Sequence, residues 1–390
     1  PENIEEIIST YNDKRIRYYK NEDNLGKTSI VLNWNKCLSY ANGDFFVLLC
    51  DDDIMLPNFI ATMLGLVKSH PQCNVFKTRT LLIDSKTNTN IGKSPLFPKY
   101  ETFADFENYY NAETIKEAVT LLKEHPDARV ISGGSDVLIK IREGKMAGTS
   151  LVSIRDIKEI KGIRLMDSGD IYIGAGTTFS HVTNDPVIQK LIPVLGEAVD
   201  QVGGPQVRNI GTIGGNVCNG AASADSAPTL FSLNAMLRIA DGTGGRMVPI
   251  RDFYLGPGKV DLHQGDVLTH IVIPGKDYQG YHGFYIKYSM RNAMDIATLS
   301  CSVVSRINPL KKVLEDVRIT FGVAAPVPYR CAKTEEARRG MEIGEELYRK
   351  VEELVSEEIN PRDSWRASKA FRLQIGGEIA KRALKESVRR

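Results

Sequence analysis

Two glycine-rich turns and one run of carboxylates are the parts of this 390-residue chain whose types and spacing suit chemistry. The first turn is Ser132-Gly133-Gly134-Ser135-Asp136, between a short apolar strand and the apolar segment Val137 to Ile141. Glycine lets backbone N–H groups turn toward an anion with no Cβ in the way. Successive N–H groups in such a turn form an anion-binding nest. The second turn, Thr212-Ile213-Gly214-Gly215-Asn216, offers another nest and adds the Thr212 hydroxyl. Two nests facing each other suit a pyrophosphate. Asp225, thirteen residues after Thr212, is a candidate acceptor for a ribose diol. Spacing alone points no further than a nucleotide binder. A lone Gly-Gly is usually a tight turn, and neither loop is the G-x-G-x-x-G of a Rossmann fold. The third feature, Asp51-Asp52-Asp53, closes the apolar run Phe45 to Leu49. Such carboxylates either bind Mg²⁺ or Mn²⁺ or form the solvated end of a strand.

The elements that must position these residues fall into two unrelated pieces, 1–104 and 105–390. The first is polar and Asn/Asp-rich, with one sharp apolar strand expected over Phe45 to Leu49. Its end, between Lys77 and Phe106, is rich in Lys, Thr, Asn and Pro and reads as irregular. The second piece opens on an amphipathic helix over Ala112 to Glu124, with Ile115, Ala118, Val119, Leu121 and Leu122 on its apolar face. A strand over Arg129 to Ile131 then delivers the first turn. Strands follow near Leu151–Ile154 and Ile171–Ala175, and a helix over Pro186 to Val202 leads into the glycine-dense stretch Gly203 to Gly220. Further strands are expected at Val267–Ile273, Gly283–Tyr288, Thr298–Arg306 and Val317–Val323. Thr334 to Arg390 reads as helical, ending in basic residues that suit a helix C-terminus. This mixture favours α+β over a regular βαβ array.

Bulk properties exclude several classes. A net charge of +2 argues against nucleic acid as the main partner. No apolar run reaches the roughly 18 residues of a membrane helix. The chain opens on Pro1, without the basic start and apolar stretch of a signal peptide. Its six cysteines include no C-x-x-C pair, which speaks against a cluster or zinc held by this chain alone and for a reducing cytoplasm. Cys218 beside the second turn reads as packing, with no histidine near in sequence to activate it. His181 and His282 read as structural or surface residues. Tyr281, Tyr285 and Tyr288 read as strand packing, with one of them open to a ligand contact, and Arg291 with Asp295 as either a supporting pair or ligand contacts.

The motif order resembles the FAD-binding subunits of the molybdenum hydroxylases, the xanthine dehydrogenase branch most. That family pairs a loop (A/S)-G-G-x-(S/D) with a loop T-(I/V)-G-G-(N/D), matched here by Ser132 to Asp136 and by Thr212 to Asn216. Gly204 to Asn219 continues the pattern, as do Ala224 to Pro228, Gly256-Pro257-Gly258-Lys259 after Phe253-Tyr254, Met290 to Ala297, and Ser364 to Ser368. The resemblance implies a two-subdomain FAD-binding fold of the vanillyl-alcohol-oxidase (PCMH) type over 105–276 and a C-terminal α+β domain over 277–390. It implies that Ser132, Gly133, Gly134, Ser135, Asp136, Thr212, Gly214, Gly215 and Asn216 hold FAD. It also implies that Asp225 holds the adenosine ribose and that Lys287 lies near the flavin ring, where a cation favours the anionic reduced form. Such a subunit takes electrons from [2Fe–2S] clusters and gives a hydride to NAD⁺. The clusters and the molybdenum cofactor belong to a small and a large partner chain.

Residues 1–104 resemble the middle of a family 2 glycosyltransferase. The likeness runs through Asn24-Leu25-Gly26, Asn33 to Leu38, Ala41 to Asp44 and Leu48 to Pro57. It implies a partial GT-A-like α/β segment in which Asp51, Asp52 and Asp53 stand where that family binds a metal and a sugar nucleotide. The family's preceding strands and its later half, with the catalytic base, have no counterpart in this segment. A sheet without these central strands is expected to form a poor core. Sugar-nucleotide transfer or binding is therefore the alternative function, expected to be inactive here.

Overall fold

The computed structural model describes residues 109–146 and 148–390 and, nearer the N-terminus, 4–11, 13–20, 36–47, 49, 55–69, 71, 81–83 and 90–93. The chain divides into two compact units, Pro1–Ser94 and Pro95–Arg390.

In the first unit the described elements include helices α1 (Ile4–Ser9) and α2 (Phe59–Ser69) and an antiparallel pair, β1 (Leu81–Ile83) and β2 (Asn90–Lys93). No side chain described in this unit is buried. The strand expected over Phe45 to Leu49 is not formed in its described residues, and Phe45, Phe46, Val47 and Leu49 are exposed. A strand needs neighbours for its N–H and C=O groups, and no pairing to this stretch exists among the described residues. Asp51, Asp52 and Asp53 lie outside the described residues.

The second unit contains three sheets of three to five strands and one two-stranded ribbon. Strands β3 (Tyr109–Asn111), β4 (Arg129–Ile131) and β5 (Leu151–Ser153) form a parallel sheet in the order β3-β5-β4. Helix α3 (Ile115–Glu124) crosses from β3 to β4. Thr114 caps it by accepting the Glu117 N–H, and Ala118, Val119 and Leu122 are buried. The helix starts three residues after the expected Ala112, because the Ala112 N–H continues the strand pairing to Ser153 O and Thr114 is the cap. After β4 come the first turn and the short helix α4 (Val137–Arg142).

The second sheet is antiparallel, in the order β6 (Ile163–Leu165), β7 (Ile171–Gly174), β12 (Val267–Ile273), β8 (Met236–Ala240), β9 (Arg246–Pro249). Strand alternation puts Ile171, Ile173, Leu237, Ile239, Ile271 and Ile273 on one face. They bury against α5 (Phe179–Asn184), α6 (Pro186–Leu191), α7 (Pro193–Asp200), α9 (Ile213–Cys218) and α10 (Ser226–Ser232), while α8 (Pro205–Ile210) packs on α5. Each such side chain, fully buried, contributes about 1.5–3 kcal/mol. The single helix expected from Pro186 to Val202 is two helices. Pro193 starts the second, since its missing N–H cannot continue the first. A small ribbon, β10 (Tyr254–Gly256) and β11 (Lys259–Val260), follows β9.

The C-terminal part is the antiparallel sheet β13 (His282–Tyr288), β14 (Leu299–Asn308), β15 (Val313–Gly322), β16 (Tyr329–Arg330). Helices α11 (Ala332–Arg338), α12 (Glu345–Glu358) and α13 (Lys369–Arg389) pack on it around Cys301, Val303, Ile319, Phe321, Val351 and Leu384. Buried hydroxyls join this sheet to the preceding part: Thr229 bonds Ser302 at 3.1 Å and Ser232 bonds Thr320 at 2.9 Å. The α+β architecture matches the sequence expectation.

Candidate functional site

A cavity of about 770 Å³ lies where the parallel sheet meets the second sheet and its helices. It is within the size range of small-molecule and cofactor pockets. Both glycine turns line it, from Ser132 through Asp136 and at Thr212, Gly214, Gly215 and Asn216.

The two turns differ in what they present. In the first, the N–H groups of Gly133, Gly134, Ser135 and Asp136 have no acceptor among the described residues. Gly134 turns the chain with φ of 75°, which glycine adopts without strain. Gly133 lies against the second turn: a Cβ there would sit 2.0 Å from the Ile210 carbonyl oxygen. In the second turn most N–H groups are already used. Ile213 donates to Thr177 O at 3.0 Å, Gly214 to Ala175 O at 2.9 Å and Asn216 to Thr212 O at 3.0 Å. The Gly215 N–H goes to the Thr212 hydroxyl oxygen at 3.2 Å, an N-cap on α9. The expectation of two facing nests is therefore corrected. The first turn is an open row of donors. The second is a sewn turn whose free donors are the Thr212 hydroxyl proton and the Asn216 amide. Its glycines serve packing as well, since a Cβ on Gly214 would lie 2.5 Å from that of Ala175.

Side chains bridge the lips of the cavity. Asn219 donates to Asp136 Oδ1 at 3.3 Å and accepts from Lys140 Nζ at 2.7 Å. Lys140, Asn219, Lys259 and the loop His263–Asp266 also line the cavity, beyond the residues the sequence motifs point to. Asn219 and Lys259 do end two of the motif runs. The loop at His263 carried no comparable signal.

Asp225 and Lys287 do not line the cavity. They form a buried ion pair at 2.8 Å, with side chains 7% and 6% exposed. Asp225 also accepts from Tyr285 Oη at 2.7 Å, and Lys287 donates to Gln201 O at 2.8 Å. Burial, opposed by Lys287 and Tyr285, holds the Asp225 carboxyl above its ordinary pKa. Both carboxylate oxygens are thus engaged inside the protein. The two residues expected at the ribose and at the flavin ring thus hold each other in this structure.

The remaining candidates fall on the bland side. Cys218 lines the cavity, but burial pushes its thiol up to about 12, so it is no nucleophile. Tyr281 donates to Asp316 at 2.7 Å, and Tyr288 stands edge-on to Phe371. Asp295 accepts the N–H groups of Met290, Arg291 and Ile296, and the Arg291 side chain donates to Met294 O, so the two residues shape one loop together.

Comparison with known proteins agrees with this arrangement. Residues 102–276 match the FAD binding domain in molybdopterin dehydrogenase, and residues 284–387 the CO dehydrogenase flavoprotein C-terminal domain. Residues 1–115 match glycosyl transferase family 2. The putative xanthine dehydrogenase FAD-binding subunit of Escherichia coli K12 is 38% identical over 284 residues, covering 73% of this chain and 97% of that protein. The glyceraldehyde dehydrogenase medium chain of Sulfolobus acidocaldarius is 27% identical, over 72% of this chain and 97% of that one. Among solved structures, carbon monoxide dehydrogenase from Hydrogenophaga pseudoflava superposes with a TM-score of 0.68 at 28% identity, covering 72% of this chain and 96% of that chain. The chain therefore belongs to the FAD-binding medium subunits of the xanthine and carbon monoxide dehydrogenase-like molybdenum hydroxylases.

Proposed function

We propose that the chain holds FAD in the 770 Å³ cavity, takes electrons from [2Fe–2S] clusters on a partner chain and passes a hydride to NAD⁺. One observation carries the reading: four successive N–H groups, Gly133 to Asp136, without an acceptor among the described residues, facing Thr212 and Asn216 across one cavity. Such a row suits a pyrophosphate, because each donor is held by the fold before the anion arrives. The Thr212 hydroxyl and the Asn216 amide add donors from the opposite wall. Lys140, held by Asn219, adds positive charge at the lip. The bound flavin would supply the electron and hydride chemistry. The protein residues bind, orient and desolvate it.

In this reading 105–276 is the cofactor domain and 277–390 the domain that buttresses it, while 1–104 contributes no transfer chemistry. The molybdenum cofactor and clusters reside on a large and a small partner chain, and the assembly is cytoplasmic. Two facts accord with this: the described cysteines are free thiols, and among the described residues no helix is long and apolar enough to cross a membrane. The test is to purify the chain alone and measure bound flavin, NADH oxidation with an artificial acceptor, and xanthine turnover. The first two are expected and the third is not. A colourless protein that cannot be reconstituted with FAD overturns the reading.

A further inference from the structure

Asn216 lines the cavity, and its side-chain oxygen is committed. The Ser226 hydroxyl donates to Asn216 Oδ1 at 2.7 Å. Ser226 is fully buried and has no other acceptor for its proton among the described residues. A flipped amide would leave that buried proton unsatisfied, so the contact selects one of the two amide orientations. In that orientation the oxygen points to Ser226 and the NH₂ group is left over. It has no acceptor among the described residues. Ser226 is itself held firmly: the preceding residue, Asp225, is clamped by Lys287 and Tyr285 of β13.

We propose that Ser226 is a positioning residue of the nucleotide site, fixing the Asn216 amide so that its NH₂ is presented to the anionic part of the dinucleotide. The inference rests on the reading of the cavity as an FAD site. It gives the buried Asp225–Lys287–Tyr285 cluster a use, as the anchor of the serine that orients the amide.

The test uses the full chain stripped of flavin and titrated with FAD, following flavin fluorescence. Ser226→Ala should weaken FAD binding on the order of tenfold, the scale of one lost hydrogen-bond donor. Asn216→Ala should weaken it at least as much. The double variant should bind no more weakly than Asn216→Ala alone, because the serine acts through the asparagine. A merely structural serine would instead give additive losses. Asn216→Asp supplies a second readout that does not depend on Ser226→Ala folding well. Its acceptor-only carboxylate should repel the phosphates at neutral pH and bind FAD better as the pH falls and the carboxyl gains a proton. Wild type and Ser226→Ala should show no such dependence. Additive losses, an unaffected Ser226→Ala, or a pH-independent Asn216→Asp each overturn the inference. Failure of the wild type to bind FAD would instead overturn the functional reading beneath it.

Discussion

The two units of this chain each carry a family's sequence pattern, yet they treat their polar and apolar groups differently. In Pro95–Arg390 four hydrophobic clusters close around paired strands and helices, and even a buried charge such as Lys287 has two acceptors. In Pro1–Ser94 no described side chain is buried, and Phe45, Phe46, Val47, Leu49 and Leu56 face solvent. A motif is therefore not a site. Asp51 to Asp53 are a catalytic signature only if neighbouring strands hold them. The turn Ser132 to Asp136 is held by β4 behind it and by the Ile210 backbone beside it.

The strongest way to break this contrast is to spoil the packing that distinguishes the second unit. Gly214→Val places side-chain atoms into Ala175, whose backbone oxygen is 2.6 Å from the added Cβ position. Overpacking against backbone should cost about 3 kcal/mol or more and abolish flavin retention. The flavin-to-protein ratio and the melting temperature report both. Gly215→Ala separates the two effects, since its Cβ would meet only the Thr212 hydroxyl oxygen at 2.9 Å. That variant should keep the fold and lose only part of its FAD affinity. A fully loaded, stable Gly214→Val protein would show that the second turn is looser than described. Next in size is Lys287→Met, which leaves Asp225 buried without its cation. Breaking a buried pair costs about 3–5 kcal/mol. Adding Asp225→Asn should recover part of the loss in denaturant unfolding. Equal stability of Lys287→Met and wild type would exclude the ion pair as an anchor.

These two sites also show what the sequence could and could not tell. Ser132 to Asp136 and Thr212 to Asn216 were legible because glycine spacing is local and the motif order is specific. The consumption of the second turn's N–H groups was not, because their acceptors, Ala175 and Thr177, lie just beyond the end of β7. The pairing of Asp225 with Lys287 spans 62 residues and joins two domains. No local pattern marks such a partner, so the pair itself was not legible in the sequence. Pro193 was visible, but as one residue in an apolar run. Its breaking of the helix follows from its missing N–H.

A smaller effect probes the surface of the ordered unit. Asp241, in the turn between β8 and β9, accepts the Thr243 N–H and hydroxyl and the Gly245 N–H. These bonds lower its pKa from 3.8 to about 2. The folded value lies below the unfolded one, so the carboxylate favours the fold above the unfolded pKa. That contribution fades as the pH falls through about 2. Asp241→Asn should therefore be less stable than wild type at neutral pH, and the gap should close in acid. A gap that stays constant with pH would mean that the turn does not sense the charge.

The smallest expected effect is the most direct test of the contrast itself. Removing residues 1–104 should change neither FAD content nor the melting temperature of the remaining flavoprotein. The clusters that stabilise that part are built from residues between Tyr110 and Val388. The same comparison tests the acidic triplet. Metal-dependent sugar transfer needs carboxylates held in register and a base to activate the acceptor, and small displacements of such a constellation are costly. Three adjacent carboxylates without a metal repel one another, which gives the segment no stability of its own. Calorimetric titration of UDP-sugars with Mn²⁺ into the full chain and into the version starting at residue 105 should give no saturable heat in either. A metal-dependent signal confined to the full chain, together with sugar transfer lost in Asp52→Asn, would show that the first unit is a working domain. The contrast between the two units would then be one of function alone.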